Sequence, residues 1–313
     1  MAKPAEAMAQ ADVRMTVAGE AGGPPGAQRA LGVLALLVTA LGWGLGWVST
    51  KIVLQVWPPL FARGTAGIIA ALLLALVAWQ RRESLKVPRE AIPRLLVAAF
   101  TNVFAWMGFS ALCLKWLNIG QGALLVFTMP IWATLLAWPV QGTRPTLKGF
   151  AALALGLVGV TILVSGNDLS LSGGQLPGIA CAVGAALLFA LGAVLNRRPI
   201  PVPPVALIAW QVGLGCIPMV AIGLLFEHPH IAALDGPAFW AMAYMVILPM
   251  AVCYLTWFAA LKRLPPGSAS TAMLLVPLTG TMSAALFLGE PLGLREMLAM
   301  AFVLGGVVLA LRK

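Results

Sequence analysis

From Arg29 onward the chain alternates long apolar runs with short breaks of polar, proline and glycine residues. Ten runs can be marked, near 30–50, 58–79, 93–114, 121–140, 147–165, 175–196, 203–226, 237–260, 268–288 and 294–311. Each comes close to the ~20 residues that a helix needs to cross a bilayer. The runs are continuous and do not alternate in a two-residue period, so they read as helices and not as strands of a β-barrel. Pro58-Pro59, Pro203-Pro204 and Pro265-Pro266 punctuate three of the connections. Residues 1–28 are rich in Ala, Gly and Pro, carry scattered charges and hold no apolar core before a cleavage site. They read as a flexible cytoplasmic tail and not as a signal peptide.

The chain also matches itself. Displaced by 147 residues, Pro130 falls on Pro277, Gly142 on Gly289, Leu147 on Leu294 and Gly159 on Gly306. Leu114-Lys115 falls on Leu261-Lys262. At slightly different offsets Leu45, Gly46 and Lys51 fall on Leu191, Gly192 and Arg197, and Pro58-Pro59 on Pro203-Pro204. A match at this separation marks two copies of one unit, predicted at 29–166 and 167–313. Each copy holds five helices, an odd number, so the second enters the membrane from the opposite side. The predicted fold is all-α and integral to the membrane, with ten transmembrane helices in two inverted five-helix repeats. Such repeats commonly alternate access to a site near the midplane.

Composition agrees with the pattern: 61% of residues are hydrophobic and 10% charged, against about 25% charged in a soluble domain. A net charge of +10 would suggest nucleic acid if it formed one patch, but the basic residues lie between apolar runs. Sixteen of the twenty Lys and Arg collect on one face, while Lys51, Lys115 and Arg295 lie on the other and Arg63 sits just inside the second run. The bias places both termini in the cytoplasm. Cys113, Cys181, Cys216 and Cys253 all lie inside apolar runs without CxxC or Cys/His spacing, so neither a disulfide nor a metal is expected. No P-loop, nucleophile elbow, HExxH or paired acids occur, so the chain reads as no enzyme and needs no cofactor. All ten acids fall in the tail, loops or run ends. No carboxylate is therefore placed as a proton relay or ion ligand in the membrane.

The candidate chemistry is a cavity for an amphipathic solute. Pro130 and Pro277, matched across the repeats, would each delete a helix bond and free the carbonyls of Val126 and Met273. They read as hinges at a shared cavity, or as bends that only help packing. Asn102, Trp106, Phe109 and Cys113 follow a helical stripe; Thr128 and Trp132 lie one turn apart; Trp210, Gln211, Tyr254, Trp257 and Met273 complete the candidate lining. The deeper rings either line the cavity or anchor the helices at the interfaces. Trp57, Trp79, Trp116 and Trp240 lie at run ends and suit the anchoring role. Lys51 and Arg63, near the outer mouth, either attract a carboxylate, pair with Glu290 or snorkel to the interface.

Trp43-Gly44 with Lys51, Phe61-Ala62-Arg63, and the last stretch from Ala259-Ala260-Leu261 through Pro277 and Gly289-Glu290 to Gly305-Gly306 carry a resemblance. They resemble the EamA-type branch of the drug/metabolite transporter superfamily, most of all the bacterial aromatic amino-acid exporters of the YddG type. The resemblance covers nearly all of the chain after residue 30. It implies ten helices, a basket-like cavity lined by helices 3, 4, 8 and 9, and export across a bacterial inner membrane; Trp43, Lys51 and Arg63 are the expected gate. One departure is visible: Gly142-Thr143 stands where the second copy has Gly289-Glu290. The expected function is a secondary transporter exporting small amphipathic metabolites, with aromatic or other bulky apolar amino acids first. The alternatives are a broad drug or metabolite exporter, or a receptor or scaffold that transports nothing. The expected partners are a small-molecule substrate and the lipid bilayer, with the oligomeric state left open.

Overall fold

The computed structural model describes residues 25–142, 146–164, 174–196, 199–264 and 273–311. Residues 1–24 of the expected tail, Thr143, Arg197 and the opening of the ninth run at 268–272 lie outside the described residues. Among the described residues ten helical passes follow one another. They are α1 (Pro25–Val53), α2 (Pro59–Gln80), α3 (Arg89–Cys113), α4 (Ile119–Gln141) and α5 (Leu147–Val164). The second set is α6 (Leu176–Leu195), α7 (Pro204–Glu227), α8 (Gly236–Leu261), α9 (Leu275–Leu288) and α10 (Leu294–Leu311). Seven of these are long and apolar enough to cross a membrane, and α5 and α9 are shorter apolar helices. No described residue forms a strand. The fold is the all-α membrane architecture with a repeated five-helix unit.

The packing maps onto itself when each helix is replaced by its counterpart in the other half. α1 packs on α8 and α9, and α6 on α3 and α4; α2 touches α8, and α7 touches α3. Two pairs, α2 with α7 and α5 with α10, are their own images. Small residues set these approaches. A Cβ at Gly159 of α5 would come within 2.9 Å of the Ala299 carbonyl on α10, and one at Gly306 within 2.7 Å of the Ala152 carbonyl. Gly159 and Gly306, like Ala152 and Ala299, are 147 residues apart, so one contact occurs twice. Gly46 of α1 likewise lies against Pro249 of α8, and its match Gly192 of α6 lies against Asn102 of α3.

Helix ends need partners, because a helix leaves its first N–H groups unbonded and lipid offers no water. Glu83, just past α2, accepts from the Val205 and Ala206 amides at 3.1 Å and so caps the start of α7. Glu227, at the end of α7, accepts from the Phe61 amide at 2.9 Å and the Leu60 amide at 3.3 Å, capping the start of α2. These reciprocal caps make α2 and α7 an antiparallel pair, as an inverted repeat requires. Glu290 accepts from the Ile119 amide at 2.7 Å and caps α4, beside a capping box of Asn118 and Gln121. At matched C-termini, Gly142 and Gly289 take φ of 71° and 66°, the left-handed turn that glycine adopts freely.

Removing the charge from either reciprocal cap is expected to destabilise the fold. Glu83→Gln and Glu227→Gln should each lower unfolding stability by about 1–2 kcal/mol, close to additively in the double variant since they act at opposite ends. Thermal unfolding in detergent checks this, and an unchanged midpoint in both variants contradicts the capping role.

Candidate functional site

Two helices depart from α geometry at matched places. α3 is π-helical over Phe100–Gly108 and α8 over Leu248–Val252, wide turns that recur at functional sites. Between them lies a cavity of about 330 Å³. It falls in the range of small-molecule pockets. α3 contributes Asn102, Val103, Met107, Ser110 and Ala111, and α8 contributes Pro249, Met250, Tyr254, Trp257 and Phe258. These are five pairs, each 147 residues apart. Three further pairs face the same space: Trp43 of α1 with Phe189 of α6, Arg63 of α2 with Ile208 of α7, and Met129 of α4 with Val276 of α9. The cavity therefore lies on the pseudo-symmetry axis. It draws on α1–α4 and α6–α9, a wider set than helices 3, 4, 8 and 9, while α5 and α10 contribute nothing to it.

Rings dominate the wall in two groups. Trp43 packs edge-on to Tyr254 at 5.6 Å and tilted to Trp257 at 6.0 Å. Trp106 meets Phe127 at 5.8 Å and Phe189 at 5.2 Å. The Trp43 indole N–H donates to the Pro249 carbonyl at 2.8 Å, fixing that ring to the wide turn of α8. Polar groups are few: Thr50, Arg63, Asn102, Ser110, Gln211 and the Tyr254 hydroxyl. Arg63 donates to the Thr50 hydroxyl at 3.3 Å. Such a space suits a flat apolar body with one polar head. Among the described residues no group of His, Cys, Asp and Glu could hold a metal ion.

Of the expected lining, Asn102, Trp106, Gln211, Tyr254, Trp257 and Met273 share this cavity with Trp43 and Arg63. Phe109 does not. The extra residue in the π turn shifts the stripe, so Ser110 and Ala111 face the cavity while Phe109 packs on Gly184 of α6. Thr128 and Trp132 also lie off it. α4 breaks at Phe127-Thr128, the Trp132 indole donates to the Thr128 hydroxyl at 3.1 Å, and Phe127 and Met129 take the lining places. Trp210 points about 100° away from Gln211, as neighbours on a helix do. It is 40% exposed and donates to the Leu85 carbonyl. Trp57 is buried and bonded to the His230 carbonyl, so it is no interfacial anchor, whereas Trp79 and Trp240 are exposed. Pro130 is the second residue of the half-helix Met129–Gln141, and Pro277 the third of α9; neither interrupts a continuous helix.

Lys51 and Glu290 lie outside the lining and do not pair with each other. Lys51 donates to the Leu114 and Leu117 carbonyls at 2.6 and 3.2 Å, at the end of α3. With Glu290 on the Ile119 amide, the short turn between α3 and α4 is held at both helix ends, on the face opposite the termini. Among the missed lining residues are Pro249, Phe189 and Ile208. Each stands at the repeat offset from a candidate that was marked, so the self-match carried their signal.

A comparison with known proteins finds the EamA-like transporter family matched twice, over residues 30–165 and 176–312. The uncharacterized transporter YoaV of Bacillus subtilis is 24% identical, over 88% of this chain and 93% of its own. A protein of Escherichia coli named probable amino-acid metabolite efflux pump is 27% identical, over 88% of this chain and 93% of its own. A solved crystal structure superposes with a TM-score of 0.63 at 19% identity, over 91% of this chain and 96% of its own. That likeness bears on the fold alone.

The shifted stripe on α3 makes a direct expectation. A cysteine placed at Ser110 should react with a small methanethiosulfonate reagent above the background of the native cysteines. One placed at Phe109 should stay near that background. Faster labelling at position 109 contradicts the π-helical phase.

Proposed function

The chain belongs to the EamA-like transporter family, and we propose that it is a secondary transporter exporting small amphipathic metabolites, with aromatic or other bulky apolar amino acids first. The observation that carries this reading is the ring-lined cavity on the axis between matched halves. A site placed there can be offered to either side by exchanging the arrangements of the two repeats. The boundaries 29–166 and 167–313 are the units that exchange. Export rather than uptake draws support from the relatives named as efflux pumps. Residence in a bacterial inner membrane with both termini in the cytoplasm draws support from the basic-residue bias.

In this reading the breaks before Pro130 and Pro277 are the hinges. Proline offers no N–H to the Val126 carbonyl, so α4 stays divided into halves that can tilt, and Pro277 acts in the same way at the start of α9. Trp43, Lys51 and Arg63 flank the passage toward the face opposite the termini. Lys51 and Glu290 hold the α3–α4 turn on that face. No described acid lines the cavity, which favours a cycle that runs down the solute's own gradient.

Flux in proteoliposomes tests the proposal. Saturable uptake of phenylalanine or leucine without an imposed pH gradient is expected; flux that requires the gradient, or none for any amino acid, overturns the solute and coupling assigned. Pro130→Ala and Pro277→Ala restore an N–H and are expected to lower flux more than folded yield. Wild-type rates in both variants would dispose of the hinges.

A further inference from the structure

The two ends of the cavity are not equivalent. At the offset that brings Pro58-Pro59 onto Pro203-Pro204, Arg63 of α2 corresponds to Ile208 of α7, and both line the cavity. One end thus carries a cation and its image carries a hydrocarbon. The Arg63 side chain is half-buried and lines the cavity. Its hydrogen bond is the one to the Thr50 hydroxyl at 3.3 Å, which leaves most of its five N–H donors to the cavity.

The described acids are engaged elsewhere or lie at the surface. Glu83, Glu227 and Glu290 cap α7, α2 and α4. Asp235 caps its own helix, Glu296 pairs with Arg295, and Glu90 is exposed at the start of α3. No described carboxylate therefore neutralises Arg63, and none lines the cavity. An enclosed cation without a counter-ion is costly and favours whatever anion can reach it. A planar guanidinium meets a carboxylate with two parallel hydrogen bonds.

We propose that the cavity recognises organic monoanions: a carboxylate held by Arg63 and Thr50, with a flat apolar body among Trp43, Tyr254 and Trp257. This rests on the cavity being the transported solute's site, and it narrows that solute's charge. A carboxylate makes the complex neutral. A zwitterion leaves it at +1, and its ammonium finds ring faces and amides but no carboxylate. The amino group is thus dispensable, and aryl or branched-chain carboxylates without it are bound at least as well as the amino acids.

Three probes share one ring and chain and differ in charge: 3-phenylpropionate, phenylalanine and phenethylamine. Calorimetric titration of the purified protein in detergent should rank 3-phenylpropionate at or above phenylalanine, and on the order of tenfold or more above phenethylamine. Arg63→Gln should weaken 3-phenylpropionate by about tenfold or more and leave phenethylamine no weaker, while Arg63→Lys retains much of the anion's affinity. If Arg63→Gln fails to fold, the wild-type ranking and Arg63→Lys carry the test. Phenylalanine binding much tighter than 3-phenylpropionate, an indifferent Arg63→Gln, or no binding by any probe overturns the proposal. Proteoliposome counterflow separates the two readings. The expected ranking without flux removes the transporter assignment and leaves the anion site standing, whereas phenylalanine flux with no 3-phenylpropionate binding removes only the anion site.

Discussion

Inside a bilayer no water completes a broken helix, so every end and every break needs a partner from the protein. This constraint organises the molecule. The starts of α2, α4 and α7 each receive a carboxylate, and in each case it comes from the other repeat. The caps are therefore also the clamps between the two halves. The wide turns of α3 and α8 and the break in α4 border the cavity, whereas a third wide turn, Gly223–Glu227 at the end of α7, lies away from it. What stabilises the pairing of the repeats and what creates the site are two answers to one requirement.

Duplication explains where the cavity is; divergence explains what it can hold. A cavity of two identical halves would present the same surface to both ends of a solute. Here Asn102 faces Pro249, Met107 faces Tyr254 and Ser110 faces Trp257 across the repeat relation, so one wall is more polar and the other richer in rings. Arg63 against Ile208 adds charge to the same asymmetry. The small residues that set helix distances, Gly46 with Gly192 and Gly159 with Gly306, have stayed alike in both copies. Packing has been kept and lining has changed.

The helices and their repeat were legible because they follow from hydropathy and from self-similarity, both written along the chain. The cavity was legible in part, and the misses have one physical cause. A stripe drawn at 3.6 residues per turn is right only while the helix stays α. The π turn of Phe100–Gly108 moves the stripe from Phe109 to Ser110 and Ala111, and the break at Phe127-Thr128 turns Thr128 and Trp132 away. The π turn leaves no residue-level mark on α3, which has no proline there, whereas the break in α4 is marked by Pro130. On α8 the mark exists, Pro249, and its significance comes from the partner it faces rather than from any matched proline. The caps were visible only as acids near helix ends; which amide each reaches depends on the antiparallel arrangement of the repeats.

The contacts that hold the α3–α4 turn are individually small in energy. Lys51 meets the C-terminal end of α3 and Glu290 the N-terminal end of α4, so each charge complements the helix dipole it faces. Both hold one short turn, yet they come from α1 and from the end of α9, elements of different repeats. Hydrogen bonds to charged groups contribute about 1.5–3 kcal/mol each. Conformations a few kcal/mol apart keep the minor one populated. The two contacts are thus enough to fix the turn without making it rigid. The first copy carries Thr143 where the second carries Glu290, so this carboxylate cap is present in one repeat's sequence and absent from the other's. The two repeats therefore differ at this helix start in sequence, as they do in the cavity lining.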